Sequence, residues 1–219
     1  MKMTEQQVDF NFQGRYYCIG AENTTPEEIW FVLHGQGQLA QFFINKFAPI
    51  ASPTRKIIAP EGLSKYYLDG YQGRVGASWM TKENRLVDIV NYLKFLTAIR
   101  DKEVIDPSST STTLLGFSQG AATASRWALQ NTMRLDQLIL WSGIFPPDLD
   151  FGNGREKLKN TQILNVYGNE DPFLNNERLK EQYDLAKKLD VQVTPVQFNG
   201  GHEIHEKTLV DIASRDSRQ

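Results

Sequence analysis

The five residues Gly116-Phe117-Ser118-Gln119-Gly120 constrain this chain more than any other feature. They follow the apolar run Thr113–Leu115 and open the small-residue segment Ala121–Ala128, an order that predicts strand, tight turn and helix. A turn this tight holds Ser118 in a strained backbone conformation with its hydroxyl projecting above a sheet. Gly116 and Gly120 remove side chains that would collide there, and Ala121 and Ala122 let the helix pack closely. The helix N-terminus then aims backbone N–H groups at the place where negative charge would develop. A Gly-flanked serine in an ordinary loop is the plain alternative; the flanking strand and helix favour a nucleophile.

The rest of the chain alternates strand-like and helix-like segments, which predicts an α/β architecture. Strands are expected at Ile29–Leu33, Lys56–Ala59, Thr113–Leu115, Leu138–Trp141, Gln162–Tyr167 and Val191–Phe198. Several lack polar alternation, as parallel strands covered on both faces do. Val8–Phe12 and Arg15–Ile19 flank Gln13-Gly14 and read as an opening antiparallel hairpin. In Lys82–Arg100 the positions Leu86, Ile89, Val90, Leu93, Leu96 and Ile99 share a helical face, with Thr81 placed to cap the first turn. In Asn176–Leu189 the positions Leu179, Tyr183, Ala186 and Leu189 repeat the pattern. The fold class is therefore α/β: a mostly parallel central sheet, an N-terminal antiparallel hairpin, and helices on both faces.

With 219 residues the length suits one domain over 1–219. A net charge of −2 gives no general attraction to nucleic acid, and no apolar run is long enough to span a bilayer. The N-terminus carries no apolar secretory stretch, and Cys18 is the only cysteine, so cytoplasm is the expected compartment. The expected partner is a small molecule, without nucleic acid or stable membrane insertion, on a monomer or homodimer.

A serine hydroxyl needs a positioned base. Where serine occupies this kind of turn, the acid and then the base follow it along the chain. Of the three histidines, His34 precedes Ser118, which leaves His202 and His205. His202 is preferred, because Asn199-Gly200-Gly201 lets the backbone swing its imidazole towards the turn. His205 stays open as the alternative, and reads better as a surface or packing residue. The pair has spacing three, whereas a zinc protease helix uses H-E-x-x-H with spacing four, and no third ligand set is evident, so no metal site is expected. The acid should follow the penultimate strand. Tyr167-Gly168-Asn169-Glu170-Asp171-Pro172 meets that condition, with Asp171 preferred and Glu170 the alternative. Asp148 and Asp150 come too early and read as solvated loop charges.

Acyl transfer at Ser118 would generate an oxyanion that needs two donors. One is the backbone N–H of Gln119; the other comes from His34-Gly35-Gln36-Gly37-Gln38, with Gln36 N–H the choice.

Taken together, Leu33-His34-Gly35-Gln36-Gly37, Ala59-Pro60-Glu61-Gly62, the Ser118 motif, Trp141-Ser142-Gly143, Tyr167–Pro172 and Gly201-His202-Glu203-Ile204 resemble the phospholipase/carboxylesterase family of α/β-hydrolases. The family includes acyl-protein thioesterase-like enzymes. The resemblance implies a small, cofactor-free serine esterase with Ser118, Asp171 and His202 as triad and Gln36 and Gln119 as oxyanion donors. Small to medium acyl esters are the expected substrates, with thioesters and lysophospholipids in the same class. A peptidase on the same fold and a non-catalytic binding protein are the competing functions. Related enzymes often carry Leu where this chain has Gln36, so a more polar wall, and hence a preference for shorter chains, is expected. Tyr66, Tyr67 and Trp79, in an aromatic glycine-rich stretch, and Phe145 and Phe173, after two strand ends, are the expected pocket residues.

Overall fold

The computed structural model describes residues 2–22, 25–130 and 134–216. Seven strands form one sheet in the order β1 (Tyr16–Ile19), β3 (Arg55–Pro60), β2 (Glu28–Leu33), β6 (Ser111–Phe117), β7 (Gln137–Trp141), β8 (Gln162–Gly168) and β9 (Thr194–Phe198). Only the β1–β3 pairing is antiparallel; the others are parallel. A separate antiparallel hairpin, β4 (Ser64–Tyr67) with β5 (Val75–Ser78), stands between β3 and the next helix.

Strand residues point alternately to the two faces, and both faces are covered. Ile29, Phe31 and Leu33 pack with Leu93 and Leu96 of α2 (Arg85–Glu103), Ala121 and Ala124 of α3 (Gln119–Gln130), Leu158 of α4 (Gly154–Leu158), and Leu185 and Leu189 of α5 (Asn176–Leu189). Their neighbours Trp30 and Val32 join the opposite layer. There they meet Ala40 and Phe43 of α1 (Ala40–Phe43), Phe47 of the 3₁₀ segment that follows it, and Leu209 and Ile212 of α6 (Glu206–Asp216). This double cover explains why β2 and β7 read as unbroken apolar runs.

Four expectations need correcting. Val8–Phe12 forms no strand, and Phe10 and Phe12 are exposed. The antiparallel element is instead β1 on β3, Tyr16 facing Pro60 and Ile19 facing Ile57. An isolated two-stranded ribbon is marginal in water, whereas the edge of a buried sheet supplies both hydrogen bonds and an apolar face. Thr81 does not cap α2: its Oγ1 accepts from Glu83 N–H at 3.2 Å, and the helix starts only after Asn84, whose φ is +48°. On that helix Tyr92 is buried while Leu86 and Val90 are exposed, because the core stripe runs through 89, 92, 93, 96 and 99. In α5 Leu189 and Ala186 are buried as expected but Tyr183 is exposed; Asn175 caps the helix by accepting from Arg178 N–H.

Candidate active site

All the candidate groups lie beyond the carboxyl ends of the strands, where open α/β sheets form their sites. Ser118 joins β6 to α3 with φ +54°, a left-handed conformation that costs a non-glycine residue about 1–2 kcal/mol. Its N–H donates to Trp141 O at 2.8 Å, and its own carbonyl accepts from Ala121 N–H at 3.0 Å. Both motif glycines are required by contact. A Cβ on Gly116 would lie 2.2 Å from Gly120 O, and one on Gly120 would lie 2.2 Å from Leu33 O. The turn is thus wedged between its own strand and the end of β2.

The Asp171 side chain is wholly buried in the loop after β8. Its Oδ2 accepts from His202 Nδ1 at 2.8 Å, and its Oδ1 accepts from Phe173 N–H at 2.9 Å. With its proton on Nδ1, the imidazole leaves Nε2 as an acceptor. The ring lies against Phe117, one residue before Ser118, at 4.9 Å between centroids, and against Phe173 at 4.8 Å. Glu170 is exposed, and its backbone N–H donates to Gly200 O. His205 stacks on Phe198 at 5.0 Å and bonds Thr208 Oγ1 at 2.8 Å, which anchors the start of α6. The two histidines therefore serve separate structures, and among the described residues no three His, Cys, Asp or Glu side chains cluster.

Across Ser118 stands the loop after β2. A Cβ on Gly35 would come within 3.2 Å of Ser118 Cβ, so this loop lies directly against the serine. Among the described residues neither Gln36 N–H nor Gln119 N–H has a protein acceptor. The neighbours of Gln36, by contrast, are both engaged. Gly35 N–H donates to Gln38 Oε1 at 2.8 Å, and Gly37 N–H to Ala77 O at 2.8 Å. His34, fully buried, donates from Nδ1 to Gly35 O at 2.7 Å and accepts at Nε2 from Gly62 N–H at 2.9 Å. Burial lowers its pKa to about 4, outweighing the opposing effects of Gly35 O and Glu61, so the ring is neutral near pH 7. It also stacks on Trp79 at 4.9 Å.

Trp79 joins the two halves. Its indole N–H donates to His34 O at 2.8 Å, and its backbone N–H donates to Gln119 Oε1 at 3.0 Å. Gln119 Nε2 donates in turn to Met80 O at 2.9 Å. The residue that offers one free N–H is thus tied, through Trp79, to the loop that offers the other. Sequence reasoning missed these roles of His34, Trp79 and the Gln119 side chain. The only signal was a long polar residue, Gln119, heading a run of small ones.

The sequence profile of the Phospholipase/Carboxylesterase family matches residues 18–215. The chain belongs to the phospholipase/carboxylesterase family. Solved structures agree on the fold. A carboxylesterase from Mesorhizobium loti has a TM-score of 0.73 at 18% identity, over 94% of this chain and 95% of that one. Zea mays acyl-protein thioesterase 2 has 0.69 at 17%, over 94% and 98%. Arabidopsis thaliana SOBER1 has 0.69 at 22%, over 87% and 98%. No curated protein sequence matches significantly. Membership of this family supports a hydrolase of the esterase type.

Around the candidate site of this phospholipase/carboxylesterase family member, the five expected pocket residues divide. Phe173 is 68% exposed and borders His202; Tyr66 and Tyr67 lie open on β4. Trp79 and Phe145 are buried in the core, at 1% and 0% exposure, so their rings pack the fold and present no face to a ligand. The Phe145 N–H donates to Gln182 Oε1, which holds the post-β7 loop onto α5. Asp148, expected as a solvated charge, accepts from Arg126 at 2.7 Å and Arg85 at 2.5 Å. Partial burial pushes its carboxyl up, and the two guanidiniums outweigh that, for a net lowering. Asp150 accepts from Gly152 N–H and caps a single 3₁₀ turn. The Gln36 side chain is exposed, so it does not line a closed wall. The β4–β5 hairpin closes on the loop backbone: a Cβ on Gly76 would meet Gly37 O at 2.6 Å. Beside that contact runs an apolar groove of about 630 Å³, lined by Gly37, Leu39, Phe42, Phe43, Leu68 and Val75. A larger concavity of about 1080 Å³ lies between α5 and the β8–β9 end of the sheet, and none of Ser118, Asp171 or His202 lines it. No helix among the described residues is long and apolar enough to cross a membrane.

Proposed function

We propose that this protein is a serine carboxylesterase that hydrolyses small to medium acyl esters through an acyl-enzyme on Ser118. The single observation that carries the reading is the His202–Asp171 bond of 2.8 Å at Nδ1, on a ring that lies against Phe117, the residue before the strained Ser118 turn. In the first half-reaction Ser118 Oγ attacks the ester carbonyl carbon and its proton passes to His202 Nε2. The carbonyl oxygen becomes an oxyanion that accepts from the free N–H groups of Gln36 and Gln119; losing one such donor typically costs ~3–4 kcal/mol of barrier. The intermediate collapses, the C–O bond to the alcohol breaks, and His202 gives its proton to the leaving oxygen. In the second half-reaction water attacks the acyl carbon while His202 takes a proton. Collapse releases the carboxylic acid and returns the proton to Ser118 Oγ. Asp171 holds the ring orientation and stabilises the transient imidazolium. A reducing compartment such as the cytoplasm suits the lone thiol of Cys18.

The test is labelling with a fluorophosphonate together with hydrolysis of p-nitrophenyl butyrate. The expected result is one modified residue, Ser118, with label and turnover both lost in Ser118→Ala. Turnover that survives in purified, folded Ser118→Ala removes the proposal.

A further inference from the structure

The sheet order sets a direction across the site. From one edge inwards come β3 with its following hairpin, β2 with the Gln36 loop, β6 with Ser118, then β7, β8 with Asp171 and β9 with the His202 loop. The apolar groove lies on the hairpin side of Ser118, and His202 approaches from the opposite side. An alcohol leaving group must reach His202 to be protonated. The acyl chain, bonded to the same carbon, is then directed the other way, past Gly37 and into the groove.

The groove is not uniformly apolar. Lys46 and Arg74 also line it, Lys46 from the 3₁₀ segment Ile44–Ile50 and Arg74 from the hairpin just before β5. Lys46 stands four residues after Phe42, on the same side of the helical stretch as the groove-lining rings. Among the described residues neither cation has a carboxylate partner. Lys65, on the same hairpin, is by contrast 3.4 Å from Glu61, and Asp69 at the hairpin turn pairs with neither groove cation. A greasy trough with two unpaired cations is complementary to a chain that is apolar along its length and anionic at its end. Counting helical rise from Leu39 to Lys46 puts the distance at roughly 10–12 Å, a medium chain length.

Resting on the esterase reading above, we infer that the preferred acyl group ends in a carboxylate, and that Lys46 and Arg74 read that carboxylate at the far end of the groove. Both are specificity residues and touch none of the reacting atoms. The class of substrate is the half-ester of a medium-chain dicarboxylic acid.

The experiment compares p-nitrophenyl half-esters of adipic, suberic and sebacic acid with uncharged p-nitrophenyl esters of equal chain length. The enzyme is the wild-type chain and the double variant Lys46→Gln/Arg74→Gln. In wild type, kcat/KM is expected to be higher for the half-esters, with suberate or sebacate best, and the advantage shrinks as salt screens it. The double variant loses about three- to tenfold in kcat/KM for half-esters, mainly through KM, and keeps its rate on uncharged esters. No preference for half-esters in wild type, or an equal loss on both ester types in the variant, overturns the inference. So does a charge preference that appears only when the carboxylate is placed on the alcohol. If wild type hydrolyses uncharged esters and takes the fluorophosphonate label in each of those cases, the esterase reading stands and only the groove assignment fails. If it does neither, both fail.

Discussion

The two flanks of Ser118 are built differently. On the β2–β3 side the backbone is cross-tied almost group by group. His34 bonds both Gly35 and Gly62, Trp79 bonds both His34 and Gln119, and Gln38 holds Gly35. All of it surrounds a buried neutral imidazole and a buried indole. On the β8–β9 side the backbone is tied as well, Glu170 N–H to Gly200 O and Trp141 Nε1–H to Glu203 O, but the group presented to the site is a side chain: a half-buried His202 held by one carboxylate and two rings. The difference matches the proposed tasks. Backbone N–H donors have no side-chain torsions to adjust, so they stabilise an oxyanion only if the chain carrying them is preset. A base must accept and release a proton and change charge in each half-reaction, which one buried carboxylate on Nδ1 supports.

The largest expected effect breaks the β8–β9 flank. His202→Ala should be as damaging as Ser118→Ala, each lowering kcat by up to ~10⁶-fold, since members of such a unit fail together. His205→Ala should leave kcat within a few-fold, because His205 serves α6. Steady-state kinetics on p-nitrophenyl butyrate decide it, and equal damage from the two histidine variants would undo the assignment of the base.

The next effect tests the rigid flank by its stability. The His34 pKa falls from an ordinary 6.5 to about 4 on folding, chiefly through burial. The unfolded chain therefore binds the proton more readily. The stabilising contribution of the neutral ring is complete above pH 6.5 and is lost as pH falls towards 4. The loss is about 3 kcal/mol over that window. Urea midpoints from pH 7 to 4 should drop accordingly in wild type. In His34→Gln, less stable at neutral pH, the drop should be flatter by that amount; parallel curves would contradict it.

A smaller effect links the flanks. Trp79→Phe keeps an aromatic ring against His34 but removes the indole N–H donated to His34 O. A loosened donor costs less than an absent one, so kcat should fall about tenfold with KM nearly constant. A change confined to KM would mean that Trp79 acts on substrate binding instead.

The last test concerns chain length among uncharged esters. The apolar groove adds up to ~0.8 kcal/mol per buried methylene until its end, so kcat/KM should rise from acetyl to octanoyl. It should then fall for palmitoyl, which outruns the groove. The exposed Gln36 side chain should matter little: Gln36→Leu is expected to shift this profile less than twofold, since no buried amide is relieved. Measurements below the micelle concentration of each ester test both points. A steady rise to palmitoyl would show that the hairpin opens around longer chains.

The sequence by itself determined whatever depends on neighbours along the chain. The Ser118 turn could be read because its two glycines and two alanines answer a local steric demand. The strands β2 and β7 could be read because a strand buried on both faces is largely apolar, and β6 and β8 from the apolar residues beside Thr112-Thr113 and Asn165. Asp171 and His202 could be read as candidates because each follows a strand in a glycine-containing loop. Tertiary structure alone decided which groups meet. It paired β1 with β3 in place of residues 8–12, and it turned Trp79 and Phe145 into the core. It also engaged His34 as a strut and left Lys46 and Arg74 unpaired beside an apolar groove. The physical reason is the same in each case. A side chain's burial and hydrogen-bond partners come from residues remote in sequence, here 28 positions apart for His34 and Gly62 and 45 for His34 and Trp79, and no local pattern encodes them.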